Sequence, residues 1–166
     1  SEQRYLDIIG SKTAALFAAA SRIAAVVAEC SDAEEQALDD YGRNLGIAFQ
    51  LVDDALDYSS DAAEMGKDRG DDFREGKMTL PVILAYARGD AEERKFWEAA
   101  ILGHRASDED LAHAVSLVER HDCVTATRDR ARHFAQMAAD ALSIFADGKA
   151  REAMVEAAHF AVARGF

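Results

Sequence analysis

Apolar residues recur every three to four positions along nearly the whole chain, which is the period of a helix rather than a strand. Over residues 4–29, Leu6, Ile9, Thr13, Leu16, Ala20, Ile23 and Val27 fall on roughly one side, and the run at 14–28 reads as a buried helix. Ser31 and Glu34 have the spacing of a capping box. They open a second helix over 32–59, with Leu38, Tyr41, Leu45, Ala48, Phe49, Val52 and Leu56 along its apolar stripe. The pattern breaks at 60–78, where Gly66, Gly70 and Gly76 stand among charged residues. Thr79-Leu80-Pro81 suits a helix start, with threonine as cap and proline in the first turn.

Further helices are predicted up to Gly89 and over 91–102, 108–121, 123–146 and 149–163. Ser107 caps the third of these, and Asp147-Gly148 marks the turn before the last. β-branched residues are scattered and no strict alternation persists, so strands are not expected. No repeat, linker or boundary interrupts the pattern. The expectation is an all-α, antiparallel helical bundle formed as one domain over residues 1–166.

Composition narrows this further. With 166 residues, 49% hydrophobic and a single proline, the chain can bury a sizeable core and is not a disordered or low-complexity segment. A net charge of −12 argues against binding a nucleic-acid backbone, which needs basic surface. Polar residues interrupt every long apolar run, so no transmembrane segment is expected. The start, SEQRYLD, lacks the basic-then-apolar order of a signal peptide. Cys30 and Cys123 have no metal-ligand spacing and read as cytoplasmic thiols.

The candidate chemistry lies in residues 46–81. Asp53 and Asp57 are four apart and share a helix face, Asp54 lies beside them, and Gln50 is one turn earlier. Like charges this close cost energy unless solvent or a cation relieves them. Mg²⁺ fits, because it takes carboxylate oxygens while keeping waters and binding phosphates. A solvated acidic face stays open as the plainer reading. Lys67 and Lys77 flank Asp71, Asp72 and Glu75 in the glycine-containing loop. They could reach a diphosphate, or simply balance an exposed loop. Lys12, beside Thr13 in an otherwise apolar helix, either snorkels to solvent or meets an anion. The five histidines form no catalytic or zinc pattern, and Phe96 and Trp97 read as core or interface anchors.

Taken together, these motifs resemble the C-terminal half of the trans-type polyprenyl diphosphate synthases. Lys12-Thr13-Ala-Ala-Leu16 resembles that family's Lys-Thr helix. Gly46-Ile-Ala-Phe-Gln50 with Asp53-Asp54-Ala-Leu-Asp57 resembles its second aspartate-rich motif. Gly66-Lys67 and Asp72-Phe-Arg-Glu-Gly-Lys77-Met-Thr-Leu-Pro81 resemble the following loop, and Ala161-Val-Ala-Arg164 its ending. The alanine-rich helix around Phe17 is most similar to bacterial octaprenyl and decaprenyl synthases.

The resemblance implies a terpenoid synthase-like all-α fold, usually a homodimer. It implies condensation of isopentenyl diphosphate with an allylic diphosphate and three Mg²⁺ ions as cofactor, with Mn²⁺ as a substitute. Asp53 would be the principal metal ligand, Asp54 and Asp57 would support it, and Asp72 would act through metal-bound water. Lys12, Lys67 and Lys77 would hold the leaving diphosphate, with Thr13 and Gln50 as polar contacts. The family's first aspartate-rich motif is absent, so the chain is expected to be the second half of a synthase and inactive alone. Other readings are a non-catalytic subunit of a heteromeric synthase, a terpene cyclase of similar fold, and a helical interaction module.

Overall fold

The structure is a computed structural model that describes residues 1–59, 70–103 and 107–163. Among the described residues every regular element is a helix and none is a strand, as the hydrophobic period predicts. Helix α1 (Glu2–Ile9) passes through a π-turn (Gly10–Ala14) into α2 (Ala15–Val27). Helix α3 spans Asp32–Asp57, and the short α4 Asp71–Arg74. Then come α5 (Leu80–Arg88), α6 (Ala91–Leu102), α7 (Asp108–Arg120), α8 (Cys123–Ala141) with a 3₁₀ turn at Leu142–Ile144, and α9 (Lys149–Ala163).

Local chemistry sets most of these boundaries. At Ser31 the predicted box forms, with the Ser31 N–H donating to Glu34 Oε2 at 2.8 Å. Ser107 caps α7 through Asp110, and Asp90 caps α6 through Glu93. Such a cap stabilises a helix by about 1 kcal/mol. Thr79 departs from expectation. It occupies the N-cap position of α5 but makes no side-chain cap bond, and its buried hydroxyl lies against the Tyr58 phenol instead. Pro81 does sit in the first turn of α5, where a missing N–H costs nothing.

The chain divides into two compact units. One joins Ser1–Tyr5 to Asp53–Arg128. Its core gathers Tyr58, Phe73, Val82, Trp97, Leu117 and Val118, with Phe96 packed against it, so both predicted aromatic anchors lie at the core. Glu93 ties its helices together by accepting from Arg120 Nη1 at 2.7 Å and meeting His121 Nε2 at the same distance. Cys123 is buried there, and burial pushes its thiol up to about 11.

The other unit joins Leu6–Val52 to the described residues 129–163. Tyr41, Ala138, Leu142 and Ala158 are buried together, and the Tyr41 hydroxyl donates to the Met154 carbonyl at 2.9 Å. The predicted apolar stripe of α3 faces inward here. Helix α2 does not behave as the buried helix that its composition suggests. Ala14, Ala18 and Ala25 are the buried positions, while Leu16 is 75% and Val27 78% exposed. The π-turn explains the rotation, because the buried steps run from Tyr5 to Ile9, then five residues to Ala14, then four to Ala18. Glu2–Val27 is also long and apolar enough to cross a membrane by length and composition alone, a test that core helices and signal sequences pass too.

Candidate functional site

Asp57, the last residue of α3, organises the loop that follows. Its carbonyl accepts from the Gly70 N–H at 3.0 Å. Its carboxylate accepts from the backbone N–H of Asp71 at 3.1 Å and of Asp72 at 3.2 Å. One aspartate therefore satisfies the donors that open α4. Gly70 makes this turn with φ of 85°, a left-handed conformation that side chains resist, and a Cβ there would collide with Leu111. Phe73 anchors α4 from below. It is buried, stacks on Phe96 at 6.5 Å and meets the Trp97 ring edge at 6.3 Å.

The loop closes on Lys77. Its N–H donates to the Asp72 carbonyl at 2.8 Å. Its ammonium lies 2.7 Å from Glu75 Oε2 and 2.9 Å from Asp72 Oδ1. These bonds, to Glu75 first and then Asp72, hold the ammonium well above the usual lysine range. The lysine stays about half exposed, so an incoming anion can reach it.

The three aspartates of Asp53-Asp54-Ala-Leu-Asp57 occupy different surroundings. Asp54 is 3% exposed and accepts a 2.5 Å hydrogen bond from the Tyr5 hydroxyl. Asp57 is 7% exposed, and its carboxyl is pushed up to about 6, by burial first and then by Asp72, against the backbone bonds. Asp53 is the least buried of the three. Burial pushes the Tyr5 and Tyr58 phenols far up, and the surrounding carboxylates add to both shifts.

Among the described residues no three His, Cys, Asp or Glu side chains form a ready metal cage. The donor set nevertheless suits Mg²⁺. That ion is bound through one or two carboxylates plus substrate phosphates rather than by an all-protein cage, and the partly exposed Asp53 and Asp72 supply hard oxygens.

Of the remaining predicted residues, Thr13 and Gln50 come together, with Thr13 Oγ1 donating to Gln50 Oε1 at 2.9 Å. Lys12 sits in the π-turn, exposed, so it pays no desolvation cost. Lys67 and Gly66 lie outside the described residues. Sequence reasoning missed three contributors: Asp57 as the clamp on α4, Phe73 as its anchor, and Tyr5. The Gly70-Asp-Asp-Phe73 run carried a signal for the first two, a left-handed glycine opening acidic residues and a buried aromatic.

The architecture is that of an all-helical protein whose acidic helix end is stapled to a lysine-bearing loop. A family model described as Polyprenyl synthetase matches residues 1–118, and the chain belongs to that family. It is 40% identical to the octaprenyl diphosphate synthase of Haemophilus influenzae, over 100% of this chain and 50% of that protein. A decaprenyl diphosphate synthase from Rhodobacter capsulatus superposes with a TM-score of 0.93 at 43% identity, over 100% of this chain and 51% of the other. A Caulobacter crescentus polyprenyl synthase, solved with calcium and isoprenyl diphosphate, also gives 0.93, at 48% identity and with the same coverage. The chain thus spans about half the length of the relatives it matches.

Proposed function

We propose that this chain is the part of a prenyltransferase that receives the allylic diphosphate, in an enzyme that adds isopentenyl diphosphate head-to-tail to lengthen a prenyl chain. The observation that carries the reading is the staple between the acidic helix end and the lysine loop, from Asp57 to residues 71 and 72 and from Asp72 to Lys77. It keeps carboxylates for a divalent cation beside a cation for phosphate. Membership of the polyprenyl synthetase family supports the same reaction.

In this reading the allylic C–O bond breaks and its electron pair leaves with the diphosphate. The π bond of isopentenyl diphosphate forms the new C–C bond at C1, and the proton then lost passes to the released diphosphate. Bound Mg²⁺ would supply positive charge to the leaving group. Asp53 would be the principal metal ligand from this chain, the inward-turned Asp54 and Asp57 would support it from behind without touching the ion, and Asp72 would act through metal-bound water. Lys77 exchanges its Glu75 and Asp72 partners for diphosphate oxygens and stabilises the charge that develops there. Lys12, Thr13, Gln50 and Lys67 are retained as diphosphate contacts on the motif resemblance alone. A homodimer and a cytoplasmic location belong to the same reading.

The test is Asp53→Ala in the complete synthase, with farnesyl diphosphate and isopentenyl diphosphate as substrates and mass spectrometry of the products. Turnover should fall at least ~100-fold, the scale of a lost transition-state charge contact. Near-normal turnover would refute the ligand assignment.

A further inference from the structure

Neighbouring residues on an α-helix point about 100° apart. Asp53 and Asp54 therefore point to different sides of α3, and Asp57 lies one turn beyond both. Asp54 is 3% exposed, and the phenol of Tyr5, itself buried, donates to Asp54 Oδ2 at 2.5 Å. The donor comes from forty-nine residues earlier in sequence, and Ser1–Tyr5 is folded into the same compact unit as Asp53–Arg128. A buried carboxyl group is costly without a hydrogen-bond partner, and the Tyr5 phenol supplies one. Asp57 is likewise committed, to the N–H groups of Asp71 and Asp72.

We propose that Tyr5 is a positioning residue for the metal site: its phenol holds Asp54 in the interior, so that Asp53 alone among the paired aspartates presents a carboxylate to the cation. This rests on the reading above that Asp53 is a metal ligand. Adjacent acids at one site compete for one ion and repel each other. Anchoring one of them inside leaves a single, defined ligand direction. Without the phenol, Asp54 loses this donor. Its carboxyl is then no longer fixed in the interior by Tyr5 and disturbs the ion held by Asp53.

The experiment measures Mn²⁺ binding by electron paramagnetic resonance in the complete synthase, with inorganic diphosphate present. The variants are Tyr5→Phe, Asp54→Asn and Asp53→Asn. Asp54→Asn keeps an acceptor for Tyr5 and should hold the wild-type number of ions, whereas Asp53→Asn should lose one. Tyr5→Phe should weaken Mn²⁺ binding about 10-fold, the scale of a lost outer partner at a metal site. It should also raise the Mg²⁺ concentration for half-maximal turnover while leaving the KM for isopentenyl diphosphate unchanged, a split that a purely structural tyrosine would not produce. Loss of an ion in Asp54→Asn, or wild-type Mn²⁺ affinity in folded Tyr5→Phe, overturns the proposal. If Tyr5→Phe does not fold, the Asp54→Asn ion count decides. Wild-type protein that binds no Mn²⁺ with diphosphate overturns the functional reading and this inference together, a result distinct from a loss confined to Asp54→Asn.

Discussion

Lys77 carries two carboxylate contacts within 3 Å, yet remains about half exposed. Lysine is a compact point charge on a flexible stem, so exchanging those partners for phosphate oxygens costs little structure. Lys77→Ala in the complete synthase should raise the KM for the allylic diphosphate roughly 10-fold, the scale of a lost charge-assisted contact, with little change in thermal melting. Unchanged KM and kcat would refute the role. Asp57 makes a separate prediction. Its folded carboxyl titrates near 6 against an ordinary value of 3.8, so the native state holds a proton that the unfolded chain releases between these values. The stability this contributes is complete below the unfolded value and is lost as pH rises through about 6. In metal-free protein, Asp57→Asn should flatten that falling limb in melting curves recorded with chelator, and an unaltered limb would contradict the assignment. The types and spacing of these residues were legible in the sequence. Which carboxylate turns inward was not, because that depends on Tyr5 and on the N–H groups of Asp71 and Asp72.

At the scale of elements, the α2–α3 contact shows where periodicity misleads. A Cβ on Gly46 would meet Ala14 Cα at 2.6 Å, and one on Gly42 would run into the Phe17 carbonyl and Ser21. The helices approach so closely that glycines and alanines make the contact beside one aromatic pair, Phe17 on Phe49 at 5.6 Å, and large apolar residues such as Leu16 and Ile23 are left outside. Reading size as a measure of burial placed the wrong face inward. The π-turn added to the error by rotating α2 within what looked like one continuous helix. Gly46→Ala should destabilise the protein by roughly 1–3 kcal/mol, because the atom it meets is backbone and cannot rotate away. Denaturant unfolding checks this, and a cost near zero would show that the helices can part. Where a boundary depends on local chemistry, as at Ser31 and Ser107, the predicted and observed starts agree.

At the scale of the molecule, the net charge of −12 and the acidic cluster set the terms for any phosphate ligand. Phosphate approaches this surface with a cation between them or through its basic side chains. The chain also spans only half the length of its relatives, and α2 leaves Leu16, Ile23, Val26 and Val27 exposed. The isolated 166-residue chain, given Mg²⁺, farnesyl diphosphate and isopentenyl diphosphate, is expected to give no ladder of longer prenyl diphosphates by mass spectrometry. A robust ladder would show that this half suffices.

The sequence by itself determined the helical class, most helix starts, and the residue types proposed for diphosphate and metal. Those features follow from periodicity, capping chemistry and charge, all of which act over a few neighbouring residues. Only the tertiary structure decided that Asp57 grips α4, that Tyr5 holds Asp54, and that glycines and alanines beside the Phe17–Phe49 pair, rather than Leu16 or Ile23, fill the α2–α3 contact. Each depends on a partner distant in sequence or on how closely two backbones approach, and neither is encoded in the spacing of residues along one helix.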